Sequence, residues 1–288
     1  MKKEIIDLID QQEWLRTTAD AVQKPVREAL SQLGDTKDFL HGKWLGHPLH
    51  PAVTDIPLGA WTTALVLDAL AMITDDDGVS AAADLAVGVG LIGAVMSAVT
   101  GLTDWTETDA KAKNVGAMHG LLNLTAAGLY TASLLERRRR SRDSGVALSM
   151  LGYAITSFSA YLGGHLVFGE QVGVDHTATQ DRGKPKKYSA VMRDSELKER
   201  KPARVEVDGV AVLLVKIDSN VYALANTCTH AGGPLNEGEL EGDSIRCPWH
   251  GSRFCLTDGA LLGGPATFAE RVFDVRVRDG QIEVRARD

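Results

Sequence analysis

Cysteine is scarce in this chain, at three in 288 residues, which excludes the small secreted scaffolds that disulfides hold together. Positive charge is not in excess either. Thirty-one Lys and Arg against 38 Asp and Glu leave a net charge of −7, which argues against a nucleic-acid binder that uses its whole surface. An apolar leader is missing: Lys2 and Lys3 open like a signal peptide, but Glu4, Asp7 and Asp10 break up the apolar run that a leader needs, and no cleaved signal is expected. No internal repeat is legible, and the one biased tract is Arg137–Arg140. The composition is otherwise 44% hydrophobic and 24% charged, which excludes a disordered or collagenous chain, at a length that suits two domains.

The apolar residues are concentrated in the middle. Residues 1–45 form a mixed-charge arm with helical spacing of Ile5, Ile6, Leu8, Ile9 and Trp14, then Val22, Val26 and Leu30, read as a surface or interfacial helix. Four apolar stretches come next at 56–74, 81–103, 115–135 and 146–168, each close to the ~20 residues that a membrane-crossing helix needs. Their separators are polar, and Gly93, Ser97 and Gly101, like Gly90, Ala94 and Ala98, recur at the spacing that lets helices approach closely in lipid. A soluble bundle of Ala- and Gly-rich helices is the rival reading; four successive spans of membrane length favour a four-helix transmembrane domain over 46–169. Residues 170–187 read as a linker. From 188 to 288, short alternating runs at Arg204–Val207, Val210–Ile217, Val221–Ala225, Val272–Arg278 and Gln281–Arg287 predict a small antiparallel β domain. Asp208-Gly209, Ser219-Asn220 and Asp279-Gly280 supply its turns.

Chemistry is concentrated in two short motifs of that β domain. Cys228-Thr229-His230 is followed, after sixteen intervening residues, by Cys247-Pro248-Trp249-His250. Two thiolates and two imidazoles make a four-ligand set for a soft metal, and a structural zinc site shares that inventory. A zinc finger, however, takes its cysteines from one loop and its histidines from the other. Here each loop gives one of each, so two metals could each take like ligands, as in a [2Fe–2S] centre where two His replace two Cys on one iron.

Through Cys228-Thr-His-Ala-Gly-Gly-Pro and Cys247-Pro-Trp-His-Gly-Ser-Arg-Phe, residues 188–288 resemble a Rieske ferredoxin domain, an all-β sandwich. The resemblance implies a [2Fe–2S] cluster at the loop tips, with Cys228 and Cys247 on one iron and His230 and His250 on the other. The quinol-oxidising branch of that family carries a disulfide between the loops, and the corresponding positions here are Gly233 and Trp249. That branch also has Ser and Tyr hydroxyls near the cluster; Ser252 is present, but Phe254 takes the Tyr position. Fewer donors place the expected potential in the low part of the ~−150 to +300 mV Rieske range. Cys255 reads as a small buried residue. Glu237, Glu239, Glu241 and Asp243 form an acidic run that would suit a basic partner.

Gly46-His47-Pro48-Leu49-His50-Pro51, with Ile56-Pro57-Leu58-Gly59-Ala60-Trp61, resembles the signature of a predicted four-helix membrane domain family without settled function. Alternating spans bring His47, His50, His119 and His165 toward one face, where paired imidazoles could hold a haem b or a metal ion. His119 and His165, each within an apolar helix, are the expected haem ligands, and Asn123 one turn on would orient the His119 ring. Asp68 lies mid-span, where an ionisable group is costly and often functional; the bland reading keeps it neutral and bonded to Thr62, Thr63 or a neighbouring helix.

The sequence thus predicts an all-α four-helix transmembrane bundle followed by an all-β Rieske-type domain: a multi-pass cell-membrane protein that carries single electrons between redox partners. A reductase or an oxygenase would be the partner, lipid the surroundings, and no nucleic acid is involved. The flanking Lys and Arg nearly balance, with a weak preference for a cytoplasmic β domain. Two other readings stand beside it. One is the Rieske component of a membrane oxygenase system; the 38 residues after His250 hold no second iron domain, so its catalytic iron would be on another chain or at the membrane histidines. The other is a zinc-stabilised scaffold.

Overall fold

The computed structural model describes residues 2–139, 141–178 and 185–287, so Arg140 of the arginine tract and 179–184 of the expected linker lie outside the described residues. The chain forms two compact units, Met1–Gly42 with Pro48–Val172, and Lys43–His47 with Gly173–Asp288.

In the first unit the described residues form α1 (Lys2–Asp10), α2 (Glu13–Ser31), α3 (Asp35–His41), α4 (Leu49–Thr74), α5 (Asp77–Trp105), α6 (Ala110–Arg138) and α7 (Arg142–Phe168). The α4–α5 turn is set by its own residues. Asp75 leaves α4 in the left-handed conformation, and the Asp76 carboxylate caps α5 by accepting from the Gly78 and Val79 N–H groups. Three of the four long helices, α4, α5 and α7, are long and apolar enough to cross a membrane. This narrows the expectation of four: α6 carries Lys111, Lys113 and Asn114 in its first turns and Glu136, Arg137 and Arg138 in its last.

The N-terminal arm is three helices docked on the polar separator after α5. Ile6, Ile9 and Leu15 pack with Val115 and Leu162, while Leu8, Trp14 and Val22 stay exposed. Gln23 donates to the Trp105 and Thr108 carbonyls at 3.0 and 2.8 Å, Arg27 to that of Thr106, and His41 Nδ1 meets the Asp104 carboxylate at 2.9 Å. The Gln23 and Arg27 bonds satisfy carbonyls that the end of α5 leaves without intrahelical donors.

The second unit holds β1 (Ser189–Arg193), β2 (Ala203–Val207), β3 (Val210–Ile217), β4 (Asn220–Ala225), β5 (Glu239–Glu241), β6 (Ser244–Arg246), β7 (Arg253–Cys255), β8 (Leu261–Gly263), β9 (Phe273–Arg278) and β10 (Gln281–Ala286). They pair antiparallel in three sheets, ordered β1-β10-β9, β2-β3-β4 and β5-β6-β7-β8. Strand β3 is buried on both faces, so alternate residues feed different cores. Leu213, Val215 and Ile217 pack with Leu235, Ile245 and Phe254, whereas Val212 and Leu214 pack with Phe273, Ile282 and Val284. The hairpin turns use paired positive φ at Asp208-Gly209 and Asp279-Gly280, and at Asp218-Ser219, one residue before the expected Ser219-Asn220.

The interior of the helical unit reveals a repeat that the sequence hides. Helix α4 packs beside α5 and α7, and α6 beside the same two, so α4 and α6 are diagonal. Their side chains meet across the middle in three layers: His50 with His119, Trp61 stacked on Tyr130 at 4.0 Å, and Asp68 with Arg137. Helices α5 and α7 make room with equivalent small residues. Gly90 faces Trp61 as Gly152 faces Tyr130, and Gly101 faces His50 as Gly163 faces His119; a Cβ at Gly101 would lie 2.6 Å from the His50 ring. The small-residue spacing in α5 therefore admits the large side chains of α4. Two of the equivalent pairs differ, Trp61 with Tyr130 and Asp68 with Arg137, and His50–Ser97 spans 47 residues where His119–Ser159 spans 40, a difference of about two helical turns that masks the repeat in sequence.

Asp68 bonds to a neighbouring helix and not to Thr62 or Thr63, whose hydroxyls return to the Leu58 and Gly59 carbonyls. It accepts from Arg137 Nη1 at 2.7 Å, and Arg137 also reaches Asp84 at 2.9 Å, Ser133 and Ser149. Arg142 joins from α7, 3.1 Å from Asp84 and 3.3 Å from Asp68. Two carboxylates and two guanidiniums thus tie all four long helices, with the Arg137 side chain fully buried. Removing Asp68 strands the buried Arg137 charge, which costs about 3–5 kcal/mol, whereas exposed Arg139 should matter by less than about 0.5 kcal/mol. Thermal unfolding in detergent should therefore fall sharply for Asp68→Ala and hardly for Arg139→Ala, and Asp68→Leu with Arg137→Leu, which leaves the Asp84–Arg142 pair neutral, should recover most of the loss.

Candidate metal centre

Cys228 and Cys247 head two loops with the same backbone pattern. In the first, Cys228 N–H donates to the Gly233 carbonyl at 2.8 Å and the Cys228 carbonyl accepts from Gly232 N–H at 2.9 Å. In the second, Cys247 N–H donates to Ser252 O at 2.8 Å and its carbonyl accepts from Gly251 N–H at 3.1 Å. Gly232 and Gly251 hold the equivalent left-handed position, φ +78° and +76°, which an L side chain would strain. The first loop is anchored by Asn226, whose side-chain oxygen accepts from Asn236 N–H at 2.9 Å and whose carbonyl accepts from Leu235 N–H. The second rises from the β6–β7 hairpin, which packs Ile245 and Phe254 into the core.

These loops bring like side chains together. The two thiols are buried and hydrogen-bonded to each other, and the His230 and His250 rings lie edge to face with centres 4.8 Å apart. The shared Cys228 hydrogen bond lowers the Cys247 pKa, helped by the Trp249 and His250 backbone N–H groups; the same hydrogen bond, with burial, raises that of Cys228. Among the described residues no three His, Cys, Asp or Glu side chains converge as a single-ion site requires. Gly233 sits where the loops meet: a Cβ there would be 2.9 Å from Cys247 Sγ and 3.1 Å from the Trp249 ring. Both histidines are half-buried, and Pro248 and Trp249 are exposed beside them.

Other residues fall differently from their sequence-based placement. Cys255 is half-buried, its sulfur 3.0 Å from the Thr257 hydroxyl. The acidic run is partly neutralised, since Glu241 pairs with Arg246 and Arg253 at 3.2 and 3.4 Å. Among the described rings of His50, His119 and His165, two meet. His165 meets Glu170 at 3.1 Å, His47 falls in the segment assigned to the second unit, and it is His50, not His165, whose ring faces His119. Asn123 does reach the His119 ring, at 3.1 Å.

Glu270 was not signalled by any motif. It is 4% exposed and follows the core strands; its Oε1 accepts from the Thr229 N–H at 2.7 Å, between Cys228 and His230, while Oε2 has no hydrogen-bond partner among the described residues. Burial, then the nearby Asp175 carboxylate, push its pKa up to about 8 against the hydrogen bond from Thr229. Its folded pKa lies above the unfolded value of 4.5, so the folded state holds the extra proton between these pH values and stability falls as pH rises through that window. Glu270→Gln should flatten the decline in thermal midpoint between pH 5 and about 8; an unchanged slope would contradict the buried-acid assignment.

Two family models match the chain: one described as "Predicted membrane protein (DUF2231)" over residues 46–176, and one for the Rieske [2Fe-2S] domain over 187–275. Among curated proteins, ferredoxin CarAc of Metapseudomonas resinovorans is 40% identical over 82 residues, covering 28% of this chain and 77% of the relative. The ferredoxin component of the naphthalene 1,2-dioxygenase/salicylate 5-hydroxylase systems of Ralstonia sp is 31% identical over 81 residues, covering 28% and 78%. Of solved structures, the ferredoxin of carbazole 1,9a-dioxygenase from Nocardioides aromaticivorans IC177 is 32% identical and matches 35% of this chain and all of that one, with a TM-score of 0.34. With its C-terminal domain matched to ferredoxins in this way, the chain belongs to the Rieske [2Fe–2S] family and is a Rieske electron carrier fused to a predicted membrane domain.

Proposed function

We propose that Cys228 and Cys247 hold one iron of the [2Fe–2S] cluster and His230 and His250 the other. The observation that carries this reading is the pairing of like donors, thiol with thiol and imidazole with imidazole, from two loops that each supply one of each. Ring centres 4.8 Å apart suit two imidazoles on adjacent corners of one tetrahedral iron. When bound, the cluster takes up and releases one electron at a time.

The chain's own groups set how readily it does so. Backbone N–H groups of His230, Trp249 and His250 point at the sulfurs and favour the electron-rich state. Phe254, fully buried on β7, offers no hydroxyl. Ser252 Oγ accepts from the Ala266 N–H at 3.1 Å, which holds that hydroxyl in place. This sparse donor set supports a ferredoxin-like potential in the low part of the family range. The half-buried imidazole edge beside exposed Trp249 is the exit for the electron, and the partner that docks there is a redox protein, a reductase or an oxygenase component. The helices lie in the cell membrane, with the β domain on the cytoplasmic side; Lys111 and Lys113 flank the helix end from which α7 leads on to it.

The full chain purified without oxygen should contain non-haem iron and acid-labile sulfide in equal amounts and give a Rieske-type paramagnetic signal on reduction. Cys247→Ala should lose both. His250→Cys, which adds a negative ligand, should keep the cluster and lower its midpoint potential. Zinc without sulfide in the wild-type chain would overturn the assignment, as would a potential unmoved by His250→Cys.

A further inference from the structure

We propose that His50 and His119 are the two axial ligands of a haem held inside the helical unit. Each histidine is prepared for a metal in the same way. His50 Nδ1 donates to the Ser97 carbonyl at 3.0 Å, and His119 Nδ1 donates to the Ser159 carbonyl at 2.8 Å, with Ser97 and Ser159 at equivalent places on α5 and α7. A ring that donates from Nδ1 carries its lone pair on Nε2, the tautomer of a metal ligand whose orientation is fixed by a carbonyl. The Asn123 amide, which donates to His119 Nε2 at 3.1 Å, marks that nitrogen as the acceptor, and a metal there takes the place of the amide.

The separation of the rings selects the geometry. Metal–imidazole bonds of about 2.0–2.1 Å on opposite sides of one ion put the ring centres about 6 Å apart. His50 and His119 lie 6.3 Å apart with ring planes at 84°, whereas the cluster histidines, on adjacent corners, lie at 4.8 Å. Two opposed imidazoles leave a bare ion with half a coordination shell, and no third His, Cys, Asp or Glu joins them among the described residues. An iron porphyrin brings its own four nitrogens and needs only these two. Cofactor sites in helix bundles are built in the core from side chains that face one another, as these two do, and both rings keep part of their surface open. Neither histidine is needed for the Cys–His assignment above, so the two readings stand or fall separately.

The full chain, made in haem-sufficient cells and extracted in detergent, should carry a low-spin haem absorption spectrum or acquire it on adding hemin. His50→Ala and His119→Gly should each lose that spectrum while non-haem iron and acid-labile sulfide are unchanged, and His165→Ala and Asn123→Ala should keep it. Imidazole added to His119→Gly should restore it, which a merely unfolded bundle could not do. A chain that binds its cluster but takes up no hemin, a low-spin spectrum that survives both histidine substitutions, or stoichiometric zinc or copper at the pair in place of haem would each overturn the proposal.

Discussion

Two turns of identical hydrogen bonding hold the cysteines of this protein in place, and the rest of the β domain serves to aim them at each other. Each Cys closes its loop through its own N–H and carbonyl, and a glycine with positive φ completes each turn. The side chains are then free of backbone duties, and their direction is set by where β4 and the β6–β7 hairpin emerge from one shared core. Gly233 lets the second sulfur approach the first loop, since any larger residue would contact Cys247 Sγ. The geometry required by two bridged irons therefore rests on glycine conformations and apolar packing, not on the ligands alone.

The helical unit uses a comparable economy. Large side chains from α4 and α6 fill the axis in layers, and glycines on α5 and α7 admit them. The imidazole layer and the Asp–Arg layer lie at opposite ends of the aromatic stack, so one end presents ring nitrogens and the other a network of charges. In an apolar interior, a charge such as Arg137 is tolerable only when its donors are all placed, and Asp68, Asp84, Ser133 and Ser149 together place them. The same near-twofold arrangement that puts acid against base at one end puts imidazole against imidazole at the other.

The Cys–His motifs, the long helices and strands β2, β3, β4, β9 and β10 could all be read from residue type and period, because alternation and helical spacing are local properties. Strands β5 to β8 could not, being three residues each and too short for a period to show. Glu270 escaped because its role depends on burial beneath Thr229, forty-one residues away in sequence. The repeat escaped because its identical residues are few and unevenly spaced along the chain, 47 residues from His50 to Ser97 against 40 from His119 to Ser159, and other equivalent pairs differ, as Asp68 and Arg137 do.

Sequence alone determined which atoms are available to bind metal and that the chain divides into an apolar helical part and a β part, since donor inventory and hydrophobic period belong to the residues themselves. Tertiary structure decided which donors meet. His119 faces His50 and not His165, Asp68 finds a guanidinium and not a hydroxyl, and Cys meets Cys across two loops, because pairing depends on helix rotation and loop curvature that only packing of the whole unit sets.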